Sequence, residues 1–250
     1  MKNDYSQIDM VVFDLDGTIY NGDTLIDGAD QVVRYFRSLG KAAFFGTNNS
    51  TKSREKIAGK LCNMGIPCEK EEVVTSSFLA AEYIEKMGLD HFFVYGTQGL
   101  IAELESRGIN VCNEEDARNL LIGFNSDLDY DFISQAFRVA LKAKSIIVCN
   151  LDRSYPGGDG KLYPGCGLIV SAIEWCTQRK SDITVGKPND YMLQYLSKAA
   201  NIRADRILCI GDSMETDGQM AISFGSQYRI ITNGDNADPC RIGSILDLIC

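Results

Sequence analysis

The chain has no run of lysine or arginine, no apolar stretch long enough to cross a bilayer, no Cys-x-x-Cys pair and no low-complexity segment. Each absence removes a class of function. The 25 basic residues are scattered and outnumbered by 34 acidic ones, giving a net charge of -9, which argues against nucleic-acid binding. The same balance repels anions at long range, so any phosphate site must be built locally from backbone N–H groups, a lysine and a metal. With no spanning segment, and with residues 1–10 too polar for a secretion signal, the chain is expected to be cytoplasmic and to touch no membrane. Its cysteines, at positions 62, 68, 112, 149, 166, 176, 209, 240 and 250, include several inside apolar patterns and are expected to be buried free thiols. Histidine and tryptophan occur once each: His91, at a strand start, is expected to be structural, and Trp175, in an apolar helix pattern, to lie in the core.

What remains is an ordinary globular composition, 45% hydrophobic and 24% charged, over 250 residues, enough for one large domain or two modest ones. Short β-branched or aromatic runs alternate with amphipathic segments. Strands are expected at 10–13, 42–45, 73–75, 92–95, 120–122, 146–149, 183–185, 207–210 and 228–231, with helices at 29–39, 53–64 and 77–87, each helix closed by a glycine. The alternation predicts an α/β fold of parallel sheets with helical crossovers. About ten strands are many for one sheet. The motifs described next fall before about residue 51 or after about 185, so residues 78–182 read as an inserted α/β domain, with 155–160 as a Gly/Pro-rich surface loop. The remaining segments, 1–77 and 183–250, form the core.

Four segments carry the chemistry. Asp14-Leu15-Asp16-Gly17-Thr18 follows an apolar strand, where open α/β sheets place ligand sites. One carboxylate can attack phosphorus while a second, two residues on, protonates the leaving alkoxide. Backbone N–H groups of residues 15 to 17, Leu15 and Gly17 among them, can cradle the phosphoryl group. The bland alternative is an Asx-turn. Thr47-Asn48-Asn49-Ser50 also follows a strand; Thr47 can donate its hydroxyl and Asn48 its backbone N–H to phosphate, where a plain polar loop is the alternative. In Gly186-Lys187-Pro188, Lys187 supplies a fixed positive charge and Pro188 is expected in the first turn of the next helix. Asp212 follows another strand and completes a Mg²⁺ site with the Asp14 carboxylate and the Asp16 carbonyl. Asp217 binds the metal through water or holds Lys187, unless it merely favours a helix N-terminus.

In their order and residue types these segments resemble the four motifs of the haloacid dehalogenase (HAD) superfamily of phosphatases. Thr47 to Ser50, Val74-Thr-Ser-Ser77, Asn150-Leu-Asp152, Tyr163-Pro-Gly-Cys-Gly167 and Val185-Gly-Lys-Pro188 are similar to the NagD-like, para-nitrophenyl-phosphatase-like branch with a type II cap. The resemblance implies a Rossmann-like core, Asp14 as nucleophile, Asp16 as acid/base, Lys187 beside them, Mg²⁺ as cofactor, and a cap that closes over the core and selects substrate. Asn150-Leu-Asp152 stands where the branch usually has Asn-Pro-Asp, and by that match Asn150 and Asp152 are substrate-binding candidates. Relatives of the branch act on sugar phosphates, nucleotides, phosphoglycolate or pyridoxal phosphate, often as homodimers through the cap. The alternatives are a phosphate-binding or regulatory protein of the same fold, a phosphotransferase, or a dehalogenase; the last has no use for an acid at Asp16, since halide leaves without a proton. A receiver-like signalling module fits the size and the carboxylate spacing poorly.

Overall fold

The apolar runs become two separate parallel sheets. The structure is a computed structural model describing residues 4–157, 161–232 and 240–249. It divides into two units, one of Met1–Thr47, Glu55–Val74 and Lys187–Cys250, the other of Asn48–Arg54 and Thr75–Gly186.

In the first unit the sheet order is Arg241–Ile242, Gln227–Ile231, Ile207–Gly211, Met10–Phe13, Ala42–Thr47 and Val73–Thr75. Met10–Phe13 lies between Ile207–Gly211 and Ala42–Thr47, parallel to both, with Phe13 opposite Ile210 on one side and Phe45 on the other. Met10–Phe13 and Ile207–Gly211 are buried throughout, as continuous apolar runs in a parallel sheet should be. By chain order the strands read 3-2-1-4-5-6 from the Val73 edge, so the connections reverse direction between Met10–Phe13 and Ile207–Gly211, where a doubly wound sheet opens its ligand crevice. The helix Ala29–Ser38 buries Val32, Val33 and Phe36, and Phe36 meets Tyr5 and Phe13 edge-on with centroids 4.8 and 6.1 Å away.

The second unit has its own parallel sheet, in the order Ile183–Thr184, Ile146–Val148, Asn119–Ile122 and Phe92–Tyr95. Helices Tyr130–Lys142 and Gly167–Thr177 pack over a separate core that includes Tyr95, Leu120, Val139, Val148 and Ile173. Asn48–Arg54 belongs to this unit because its polar groups are tied there. Ser76 Oγ donates to Asn48 O at 2.7 Å, and Phe124 N donates to Ser50 Oγ at 2.9 Å. The units therefore divide at Thr47/Asn48, Arg54/Glu55, Val74/Thr75 and Gly186/Lys187.

Several expectations need correction. Trp175 is 78% exposed: Gly167–Thr177 buries Ile169, Val170 and Ile173, and Trp175, two residues past Ile173, turns to the opposite face. Cys62 and Cys176 are exposed and Cys112 and Cys240 half-buried, while Cys68, Cys149, Cys166 and Cys209 are buried; all eight are free, and Cys250 is outside the described residues. Tyr155 and Pro156 belong to a hairpin, Ser154–Pro156 with Leu162–Pro164; residues 158–160 of the expected loop lie outside the described residues. Pro188 precedes rather than opens its helix, because Asn189 Oδ1 accepts from Tyr191 N at 2.9 Å in a turn that delays the helix to Tyr191–Ala200. His91 has φ 60°, and its carbonyl accepts from Arg118 and Asn119 N at 2.9 and 3.1 Å, a backbone role. Among the described residues no helix is long and apolar enough to cross a membrane.

Candidate active site

Asp14 is the first residue past Met10–Phe13, at the switch point of the first sheet, and its N–H donates to Ile210 O at 2.8 Å. The chain then turns tightly. Leu15 O accepts from Thr18, Ile19 and Tyr20 N at 3.2, 2.9 and 3.1 Å, while the Leu15 side chain is in the core. The Gly17 N–H donates to Tyr20 O at 2.9 Å, so this amide is committed to the turn and not to a phosphate cradle. The glycine is needed for two other reasons. Its φ is +89°, and a Cβ there would lie 2.1 Å from Asp212 Oδ2, so only glycine lets that carboxylate settle over the turn. Asp16, between them, is exposed.

Register brings the other strand ends alongside. Phe13 pairs with Phe45 and Ile210, so Asp14 is flanked by Gly46-Thr47 and by Gly211-Asp212. Thr47 is 5% exposed at the end of its strand. Lys187, 3% exposed, reaches in from the turn after the second unit and donates to Asp14 Oδ1, to Asp217 Oδ1 at 2.7 Å and to Gly46 O at 3.3 Å. Asp217 sits in the turn Met214–Gly218, where its Oδ2 accepts from Ser213 N at 3.3 Å and from Thr216 Oγ1 at 3.4 Å. A Cβ on Gly211 would be 2.2 Å from Asp217 Cγ, so this glycine too makes room for a carboxylate. Reading the sequence alone singled out neither Gly46 O nor Gly211; a small residue beside each strand-end motif was the available signal.

The electrostatics follow from this crowding. Carboxylate oxygens of Asp14, Asp212 and Asp217 all lie within 4.8 Å of one another, with Lys187 the ammonium paired to two of them. Burial first, and then Asp217 and Asp212, push Asp14 well above the usual carboxylate range against the pull of Lys187. Asp212 is raised to about 6 by desolvation and then by Asp217, although the residue as a whole remains exposed. Lys187 loses to burial but gains more from Asp14 and Asp217, so it stays protonated. Three carboxylates against one ammonium leave excess negative charge on hard oxygen donors, which suits a hard divalent cation. The residues thus fit Mg²⁺ through Asp14 and Asp212, with the Asp16 carbonyl on the same turn, and Asp217 spent on Lys187 and the Ser213 turn.

Asn48, Asn150 and Asp152 come together in the second unit. Asn150 Nδ2 donates to Asn48 O at 2.8 Å, Asn48 Nδ2 donates to Asp152 Oδ1 at 2.8 Å, and Asp152 N donates to Asn150 Oδ1 at 3.2 Å. Asn150 and Asn48 are 3% and 9% exposed, and their side-chain amides are engaged in tying Asn48–Arg54 to this unit.

Comparison with known proteins gives a consistent answer. A haloacid dehalogenase-like hydrolase family model matches residues 11–110, and a HAD-hydrolase-like model matches residues 184–240. The sugar-phosphatase AraL of Bacillus subtilis (strain 168) is 34% identical over 226 residues, covering 90% of this chain and 83% of the relative. Human glycerol-3-phosphate phosphatase is 29% identical over 258 residues, covering 92% and 80%. Among solved structures, the p-nitrophenyl phosphatase from Archaeoglobus fulgidus superposes with a TM-score of 0.89 at 26% identity, covering 96% of this chain and 98% of that one.

Proposed function

Because the chain belongs to the haloacid dehalogenase-like hydrolases and is a phosphatase of the para-nitrophenyl-phosphatase-like branch, we propose that it hydrolyses small phosphomonoesters through an aspartyl-phosphate on Asp14. The observation that carries this reading is the pairing of Asp14, at the switch point, with the buried ammonium of Lys187, two residues before an exposed Asp16. In this reading the first unit is the catalytic core and the second a type II cap. Lys187 holds one Asp14 oxygen, which fixes the carboxylate rotamer and leaves the other to attack phosphorus. As the P–O(ester) bond breaks, Asp16 gives its proton to the departing alkoxide. It then takes a proton from the water that attacks the acyl phosphate, releasing inorganic phosphate and restoring Asp14. Thr47, with its hydroxyl at the neighbouring strand end, binds a phosphoryl oxygen. Asp14, Asp212 and the Asp16 carbonyl would hold Mg²⁺, which when bound would supply the charge that offsets carboxylate–phosphate repulsion.

The substrate is a small polyol or sugar phosphate in this reading, because the relatives reported above are named for sugar phosphate and glycerol 3-phosphate. Free thiols throughout the described residues support a reducing, cytoplasmic setting. The test is phosphate release with Mg²⁺ across sugar phosphates, glycerol 3-phosphate, phosphoglycolate, nucleotides, pyridoxal phosphate and para-nitrophenyl phosphate. Release that EDTA stops and Mg²⁺ restores is expected. No release from any compound, or full activity in EDTA, overturns the reading.

Asp16→Asn separates the acid from the nucleophile. Alkyl phosphates, whose leaving group needs a proton, should lose about 10²-fold or more in kcat, whereas para-nitrophenyl phosphate should lose much less. Equal losses on the two substrates would remove the acid role.

A further inference from the structure

The turn that carries Asp16 is closed by Tyr20: Gly17 N donates to Tyr20 O at 2.9 Å, Tyr20 N donates to Leu15 O at 3.1 Å, and Asp16 and Tyr20 form an isolated bridge. Tyr20 also begins a hairpin, Tyr20–Asn21 with Thr24–Leu25, far too short to hold its own shape. Tyr20 is 4% exposed, so its ring is enclosed behind the turn. From the helix Arg54–Asn63, Lys60 sets its ammonium 3.7 Å from the centre of that ring, and the same Nζ donates to Gly22 O at 2.5 Å. The Lys60 side chain is only 18% exposed, whereas Asp23, 3.4 Å away, is fully exposed and adds little. A largely buried ammonium held on a ring face and a carbonyl is an ordered contact, unlike the solvated lysines of an ordinary helix surface.

We propose that Lys60 is a positioning residue for Asp16: through the Tyr20 ring and the Gly22 carbonyl it clamps the hairpin and fixes the turn from which the general acid works. The inference rests on the reading of Asp16 as acid/base. Proton transfer depends steeply on donor placement, so a loosened turn costs most rate where the leaving group needs a proton.

The test is steady-state kinetics of Lys60→Met, which keeps the aliphatic stem and removes the charge. For an alkyl phosphomonoester that the wild type hydrolyses, kcat should fall about 10-fold with KM changed less than about 2-fold, while para-nitrophenyl phosphate loses only about 2-fold. Lys60→Arg, which retains the cation over the ring, should recover most of the loss. In an Asp16→Asn background, Lys60→Met should add nothing on the alkyl ester, since there is no acid left to misplace. Tyr20→Leu removes the ring from the other side and should give the same substrate split if Lys60→Met does not fold. Equal losses on both substrates, or losses that add to those of Asp16→Asn, would show that Lys60 serves the fold alone. A split in Asp16→Asn without one in Lys60→Met overturns only the clamp; no split in Asp16→Asn overturns the acid reading and the clamp with it.

Discussion

Asp14→Asn should abolish turnover, by at least about 10⁴-fold, while leaving the protein folded. The amide keeps the shape of the carboxylate, and its Oδ1 can still accept from Lys187, which also retains Asp217 and Gly46 O. What it lacks is an oxygen able to form the acyl phosphate. The stability expectation is unusual for a buried site. The variant replaces one of three crowded carboxylates, one whose ionised form burial opposes, with a neutral group. Without metal, therefore, its melting midpoint should equal or exceed that of the wild type. Phosphate release together with thermal denaturation in EDTA checks both halves. A rate within about 10-fold of wild type would displace Asp14 as nucleophile, and a lower metal-free midpoint would mean that the Asp14–Lys187 pair outweighs the repulsion.

How far the sequence disclosed this arrangement depends on the range of the forces involved. Met10–Phe13, Val73–Thr75 and Phe92–Tyr95 are found at the residues expected, because a strand buried on both faces writes its limits as an apolar run. Tyr20–Asn21, Thr24–Leu25 and Arg241–Ile242, two residues each, escape notice because a pair of residues carries no period, whereas the equally short Ile183–Thr184 was marked by the apolar Ile183-Thr-Val185 run. The α/β class was legible from alternation, but the strand order that puts Asp14 beside Asp212 is fixed by pairing over some 200 residues and leaves no local trace. Likewise Asp14, Lys187, Asp212 and Asp217 could be singled out as strand-end residues, and they do gather in the first unit. The commitment of the Gly17 amide to Tyr20 could not be read, because it depends on how one turn closes. The attachment of Asn48–Arg54 to the second unit was hidden too: it rests on hydrogen bonds to Ser76, Phe124 and Asn150, far along the chain. Trp175 shows the opposite failure, an apolar pattern wide enough around the helix to hide which face is buried.

Lys187→Met should have the largest combined effect on stability and rate. The side chain is 4% exposed and is the ammonium between Asp14 and Asp217, whose side chains are 10% and 4% exposed. Methionine fills similar volume but leaves two buried carboxylates facing each other, an uncompensated charge that costs on the order of 3–5 kcal/mol. The cost has a definite pH dependence. Burial already makes Asp14 take up a proton more readily than in the unfolded chain, loss of the Lys187 ammonium strengthens that tendency, and Asp212 is raised to about 6 in the wild type. Groups whose folded pKa is raised lose stability as pH climbs from the unfolded value, about 4, through the folded one. The deficit against wild type, measured by urea denaturation in EDTA, should therefore be greatest at pH 7.5 and shrink towards pH 5. Turnover should fall by about 10³-fold or more, because the attacking oxygen loses its fixed rotamer and the phosphate a positive charge. Lys187→Arg should not restore it, since a planar fork cannot replace a point charge that donates to three separate oxygens in a closed space. A deficit of the same size at both pH values would show that Lys187 contributes by packing and not by neutralising Asp14 and Asp217.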